Sequence, residues 1–333
     1  MLSVGYSLSS EEFPPDELVT QARAAESAGF DFAMISDHFH PWTRRQGQSP
    51  FAWSVLGALA QATERIKLGT GVTCPTLRYH PAIIAQAAAT IAMLMPGRFI
   101  LGLGAGENLN EHVTGAKWPS PLVRLEMLEE AIEVIAKLWR GGLQSHHGRY
   151  FAVEDAELFS LPAQRPPIYV AASKAQSAEI AGLCGEGLIS TAPKKELVDK
   201  FVAAGGAGKP RVGQMTMCWA RSEEEGQRRA REIWPNALVS GDASTELPLP
   251  RHFEQITQDM GAEMMTSAGQ ISCGPSAENH LKAIRKFVEA GFDHVYIHQI
   301  GPQQREFIEF ARAELLPELR GLKSRNGDQA AMQ

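Results

Sequence analysis

An Asp-His pair stands directly at the end of an apolar run. Phe32-Ala33-Met34-Ile35 is followed by Ser36-Asp37-His38, and Trp42 comes shortly after. An imidazole titrates near neutral pH, and a carboxylate beside it can orient or charge it, so the pair has the makings of a general base. The same residues would also serve as a helix N-cap beside a surface histidine, and spacing alone leaves both readings open. A second stretch of this kind is Gly102-Leu103-Gly104-Ala105-Gly106-Glu107-Asn108-Leu109-Asn110. Its glycines permit close approach of the backbone to a ligand. Glu107 on such a loop can be placed as an acid or base, and Asn110 can donate and accept toward a planar ring. The third glycine of the dinucleotide fingerprint is missing, which argues against a nicotinamide cofactor. In Gly69-Thr70-Gly71-Val72-Thr73-Cys74-Pro75, Gly71 can take an unusual backbone conformation beside a cofactor, or the stretch is an ordinary turn before Pro75. Trp42 either covers an aromatic ligand or fills a gap.

These residues need a scaffold, and the chain supplies short apolar strands alternating with amphipathic helices. Strands are expected at Val4–Leu8, Phe32–Ile35, Ile66–Gly69, Phe99–Leu103, Ile168–Ala171, Gly187–Ser190, Gly213–Ala220 and His294–Gln299. Helices are expected over Pro15–Ala28, Phe51–Thr63, Ala82–Leu94 and Val123–Trp139, with more between the later strands. Eight strand-helix units suit an α/β fold of the closed (β/α)8 TIM-barrel type better than an open sheet. Residues 1–322 are expected to form one barrel domain, with insertion segments at the C-terminal rim near 141–167 and 239–275 and a disordered tail over 323–333. In such a barrel the carboxyl ends of the strands build the site. Those ends read Ser7–Ser9, Asp37-His38, Thr70-Gly71-Val72, Gly104 to Glu107, Ala172-Ser173-Lys174, Ser190-Thr191, Trp219 and His298-Gln299. Polar or glycine residues from nearly every strand favour a rim binding site over a purely structural barrel.

Composition narrows the classes. A chain of 333 residues with 44% hydrophobic content can bury a large core. A net charge of −6 and the lack of a basic run exclude nucleic acid as a partner. No apolar run reaches the length of a membrane span. The four cysteines, Cys74, Cys184, Cys218 and Cys273, lack metal-ligand spacing and read as reduced thiols. With no apolar leader at the N-terminus, a soluble cytoplasmic protein is expected. His146-His147 has no carboxylate partner at ligand spacing, so it reads as solvent-exposed and no metal site is expected. Glu126, Glu129, Glu130 and Glu133 read as a solvated helix face.

Taken together, Gly5-Tyr6 with Glu11, Ser36-Asp37-His38-Phe39 with Trp42, Leu68-Gly69-Thr70, Pro81 to Gln86 and Gly104 to Glu111 resemble the luciferase-like (β/α)8 superfamily. More narrowly they resemble its branch of F420-dependent glucose-6-phosphate dehydrogenases, from about Ser3 to Leu319. The resemblance implies a homodimer and the deazaflavin coenzyme F420, held on the barrel rim. It implies His38 as the base that takes the proton of a substrate hydroxyl while hydride moves to the deazaflavin C5. Trp42 matches the aromatic residue over the reacting centre, and Glu107 the acid that manages the proton of the reduced ring. The implied cofactor set is Asp37, Gly71, Val72, Cys74, Ala105, Asn110, Ser173, Lys174, Gln176 and Ser177, with a non-proline cis peptide joining Gly71 to Val72. Glu11, Thr191 and Lys194 fall at substrate positions.

The chain departs from that branch at the substrate phosphate. Thr191 and Lys194 match a Thr and a Lys of the phosphate clamp. No Arg stands in Thr266-Ser267-Ala268-Gly269-Gln270, and Asp242–His252 offers only Arg251. A dianion held by one Lys loses much of its charge-assisted hydrogen bonding. Ser173-Lys174 also replaces a glycine pair near the cofactor phosphate, where Lys174 and a helix N-terminus can compensate. The expectation is an F420-dependent oxidoreductase acting on the CH-OH group of an alcohol or sugar. The competing readings are a sugar-6-phosphate dehydrogenase with a modified clamp and an FMN-dependent luciferase-like monooxygenase.

Overall fold

The computed structural model describes residues 1–239, 241–258 and 271–322. Eight parallel strands close into a barrel: β1 (Ser3–Leu8), β2 (Phe32–Ile35), β3 (Lys67–Thr70), β4 (Phe99–Leu103), β7 (Ile168–Ala171), β8 (Gly187–Ser190), β9 (Arg211–Cys218) and β11 (His294–Gln299). The pairing of β8 with β9 closes the ring, and β10 (Ser272–Cys273) extends β9 on the outside. β2, β4 and β8 are buried at every position, as strands covered on both faces must be. Inside the barrel Phe32, Met34, Ile100, Tyr169, Ile189, Val212 and Tyr296 pack together, with half-buried Val72 and Ala171 against them.

The helices surround the barrel: α1 (Pro15–Ala28), α2 (Ala52–Ala62), α3 (Pro81–Leu94), short α4 (Asn108–Glu111), α5 (Pro121–Leu138), α6 (Ala175–Cys184), α7 (Lys195–Phe201), α8 (Glu223–Ile233), α9 (Ala243–Glu246) and α10 (Pro250–Thr257), followed by Ala277–Ala290 and Gln304–Phe310. α1 starts on Pro15 and stops on Gly29, whose φ of 93° suits the left-handed cap. Its buried stripe is Leu18, Gln21, Ala22 and Ala25. Gln21 is the polar member of this stripe, its amide oxygen 3.3 Å from the buried Tyr6 hydroxyl. None of the described helices is long and apolar enough to cross a membrane.

The two long connections lie in different places. Residues 141–167 join the end of α5 to the start of β7, so connectivity places them away from the rim on which they were expected. They contain a hairpin of β5 (Gln144–His147) and β6 (Ala152–Ala156) that packs along α5. There Glu130 accepts the Phe151 and Tyr150 N–H groups at 2.8 and 3.2 Å and meets His146 Nε2 at 3.2 Å. His146 is therefore buried beside a carboxylate, and Glu130 is no free surface charge, contrary to the expectation for both. The pair closes a turn and brings no third metal-ligating group; no metal-holding cluster exists among the described residues. The second connection, after β9, does cross the rim. Residues 259–270 of it, with the sequence stretch Thr266–Gln270, and the tail 323–333 lie outside the described residues.

Candidate functional site

The mouth of the barrel is organised by the loop that leaves β2. Asp37 does not offer its carboxylate to the mouth. It is buried, receiving Thr73 Oγ1 at 2.7 Å, Arg78 Nη2 at 3.1 Å and the Tyr79 hydroxyl at 3.1 Å. Arg78 also reaches the Asp37 carbonyl at 2.8 Å, and its Nε lies 3.5 Å from Glu111 on α4. One buried guanidinium thus ties together the loops after β2 and β3 and the helix after β4. Burial drives the Glu111 carboxyl up to about 7 even though Arg78 pulls it down. Burial and then Asp37 push the Tyr79 hydroxyl far above its usual range, which keeps it a donor.

With Asp37 fixed, His38 is held between Glu11 and Trp42. Its Nε2 lies 3.5 Å from Glu11 Oε1, its Nδ1 lies 3.2 Å from the His40 carbonyl, and its ring centroid is 5.0 Å from that of Trp42. Glu11, just past β1, is 3% exposed and accepts Ser36 Oγ at 2.6 Å and Ser9 Oγ at 3.1 Å. Burial raises its carboxyl, but His38 and the Ser36 hydroxyl outweigh this and hold it below the usual carboxylate value. An ionised acid beside an imidazole stabilises the imidazolium that forms when the ring takes a proton.

Asn110 joins the β2 and β4 loops. It is 1% exposed, its Oδ1 accepts the Phe39 N–H at 2.9 Å and the His40 N–H at 3.2 Å, and its Nδ2 lies 3.5 Å from Glu107 Oε2. Glu107 is half-buried at the start of α4. The peptide between Gly71 and Val72 is cis, as the family resemblance implied. Cys74 is buried, its thiol 3.0 Å from Thr76 Oγ1 and pushed well up by burial. A side chain at Gly106 (φ 80°) would collide with that sulfur, so glycine lets the two loops touch. Ala105 lies half-buried on the same loop.

The remaining expected residues face this cluster from farther round the ring. Ser173, Lys174 and Gln176 are exposed at the N-terminus of α6, while Ser177 is buried and its Oγ accepts the Ser173 and Lys174 N–H groups at 3.3 and 3.2 Å. Thr191 and Lys194 are exposed on the loop after β8, the strand opposite β2. Arg251 lines a groove of about 790 Å³ with Arg45, Arg228, Arg231, Glu232 and Glu254.

Several residues that build the site carry no motif in sequence. Phe253 of α10, fully buried, stands edge-on to Trp42 at 5.3 Å and so backs it. Lys174 Nζ lies 2.5 Å from Asp242, Asn108 donates to the Glu246 carbonyl at 2.9 Å, and Arg124 holds Glu246 at 2.8 Å. The segment around α9 is therefore a strap from the β4 loop to the β7 loop. Arg78 alone had a local signal, as a cation in the short loop between β3 and Pro81.

The F420-dependent glucose-6-phosphate dehydrogenase of Intrasporangium calvum is 36% identical to this chain, covering 97% of it and 100% of the relative. That of Microbacterium testaceum is 34% identical over 96% of this chain and 98% of its own. Among solved structures, an F420-dependent secondary alcohol dehydrogenase in complex with an F420–acetone adduct superposes with a TM-score of 0.89 at 30% identity, covering 96% of this chain and 99% of that one. The F420-dependent tetrahydromethanopterin reductase of Methanopyrus kandleri, at 22% identity and a TM-score of 0.76, shares the fold. Residues 2–294 match the family described as luciferase-like monooxygenase, and the chain belongs to that family.

Proposed function

We propose that this protein is a dehydrogenase that moves a hydride from the carbinol carbon of an alcohol or sugar to coenzyme F420. The observation that carries the reading is the His38–Glu11 pair beside Trp42 at the barrel mouth. Supporting it are the names of relatives at 34–36% identity and of the alcohol dehydrogenase with the similar structure.

The mouth fits a flat, anionic cofactor. Val72 and Ala171 give it an apolar floor resting on the barrel interior. Lys174 and the N-terminus of α6 give an anion site for the phosphate, with Ser173, Gln176 and Ser177 around it. Gly71, Cys74, Ala105 and Asn110 shape the wall, and Asp37 acts from behind by fixing the loops. F420 supplies the hydride acceptor at C5. His38 takes the hydroxyl proton as the carbon gives up its hydride, and Glu11 stabilises the resulting imidazolium. Trp42, backed by Phe253, shields the reacting carbon from water. Glu107, whose Oε2 lies 3.5 Å from Asn110 Nδ2, would hold the proton that a bound deazaflavin takes up along with the hydride. The homodimer belongs to the same reading, supported by exposed Ile83, Met93 and Leu94 on α3.

Two experiments test this. In an absorbance titration, F420 should bind and be reduced on addition of an alcohol, whereas FMN should bind weakly. Tight FMN binding with oxygen consumption would overturn the reading. The second experiment concerns the substrate. Among the described residues Lys194 stands at a clamp position, while Arg251 lines a groove together with Arg45 and Arg231. Each missing charge-assisted contact costs about 1.5–3 kcal/mol, so two should weaken a phosphate dianion roughly a hundredfold or more. A panel of neutral secondary alcohols and sugars should therefore outperform glucose 6-phosphate in kcat/KM. Micromolar KM for glucose 6-phosphate with efficient turnover would show that another cation completes the clamp.

A further inference from the structure

The turn that carries Glu11 carries a second carboxylate, and it too meets an imidazole. Glu12 Oε1 lies 3.1 Å from Nε2 of His298, near the end of β11, the strand next to β1. His298 is 1% exposed, and the Glu12 side chain 4%. Glu12 Oε2 accepts the Gly301 N–H at 2.9 Å. The two carboxylates share a hydroxyl: Ser9 Oγ is 3.1 Å from Glu11 Oε2 and 3.4 Å from Glu12 Oε1. A buried line of groups therefore runs from His38 through Glu11, Ser9 and Glu12 to His298.

A serine hydroxyl has one proton to donate, so it serves one carboxylate at a time. What else the competing carboxylate receives decides which. Among the described residues the Nδ1 of His298 has no hydrogen-bond partner, and the ring stands edge-on to Trp234 at 4.3 Å. Nε2 is thus the nitrogen whose proton finds an acceptor, and that acceptor is Glu12. With the imidazole and the Gly301 amide on Glu12, Ser9 is free for Glu11. We propose that His298 is a positioning residue: by occupying Glu12 it directs the Ser9 hydroxyl to Glu11, and so sets the charge that His38 faces.

The other ionisable groups facing this line are engaged elsewhere. Tyr6 donates to Gln304, Tyr296 to Gln214 at 2.8 Å, and the Cys218 thiol to the Ile300 carbonyl. Arg229 pairs with Glu225 at 2.5 Å, Asp37 with Arg78, and His40 Nδ1 with the Leu109 carbonyl. Glu11 is the group through which a change at Glu12 reaches His38. Without the His298 donor, Glu12 draws the Ser9 hydroxyl away and the cluster binds its protons more tightly. The form with His38 neutral and Glu11 ionised is then reached only at higher pH.

The consequence for turnover rests on reading His38 as the base, so the deciding measurement is made on ligand-free protein. Imidazole nitrogens are labelled, and the His38 signal, assigned from its loss in His38→Gln, is titrated by NMR. His298→Leu should raise the His38 midpoint by about half a pH unit or more, a threefold change in proton affinity. His298→Gln, which keeps a donor toward Glu12, should shift it by less than half as much. In a Ser9→Ala background His298→Leu should add little, because the link is already cut. An unchanged midpoint in folded His298→Leu, or an equal shift with and without Ser9, overturns the proposal. Should His298→Leu fail to fold, Ser9→Ala decides alone, since it must itself raise the midpoint. In the loaded enzyme the acid limb of the kcat/KM profile should move by the same amount. Failure of wild-type protein to reduce F420 would count against the proposed reaction and leave the NMR result standing.

Discussion

His38→Ala is expected to lower the rate of F420 reduction at saturating alcohol by roughly 10²–10⁴-fold, the range over which a positioned general base contributes. The imidazole is held from three sides, by Glu11, the His40 carbonyl and Trp42. The loss should therefore reflect missing proton transfer and not a rearranged mouth. F420 affinity, read from the absorbance titration, should change little. Wild-type turnover by the variant would remove His38 from the role of base, and a parallel loss of cofactor binding would make it a binding residue instead.

The largest effect on stability is expected at Arg78. Its side chain is 7% exposed between Asp37 and Glu111, which are 0% and 1% exposed. Breaking a buried ion pair leaves an uncompensated charge, at a cost of about 3–5 kcal/mol. Arg78→Ala should cost that much in denaturant unfolding near pH 8. The deficit should shrink at lower pH. Glu111 has a raised folded-state value of about 7, so its contribution to stability is complete below the ordinary carboxylate range and lost as pH climbs through 7. In the variant Glu111 loses the cation that pulls its carboxyl down, and near pH 5.5 its protonation relieves part of the strain. An equal deficit at pH 5.5 and pH 8 would mean that Arg78 acts through packing alone.

The barrel strands were legible in sequence because each is short, apolar and bounded by turn residues. Phe32–Ile35, Phe99–Leu103, Ile168–Ala171, Gly187–Ser190 and His294–Gln299 have the expected bounds. Strands buried on both faces leave little freedom in how such runs are read. Loop chemistry was less legible, since it depends on which residues distant in sequence the barrel brings together. Thr73, Arg78 and Tyr79 meet Asp37 across 36 to 42 residues, and Phe253 meets Trp42 from the far insertion. His146 looked solvent-exposed because its partner Glu130 belongs to the preceding helix, a pairing only the hairpin's fold creates. The strand ends pointed to the barrel mouth as the candidate site, but the contacts that support these residues were not legible.

The strap across the mouth is unequally tied. At Glu246 its partner Arg124 is 6% exposed and lies over the Trp118 ring, 4.2 Å from its centroid. At Asp242 both partners are more than 60% exposed, so salt and water screen the pair and it adds little to stability. The Glu246 end is therefore the firmer tie, and the cation at the other end is also the one beside the α6 N-terminus. On the proposed reading, a cofactor phosphate paired with Lys174 would compete with Asp242 for that cation. The tie at Asp242 is thus the one that a competing anion would displace at least cost, while the buried guanidinium at Glu246 keeps its end in place.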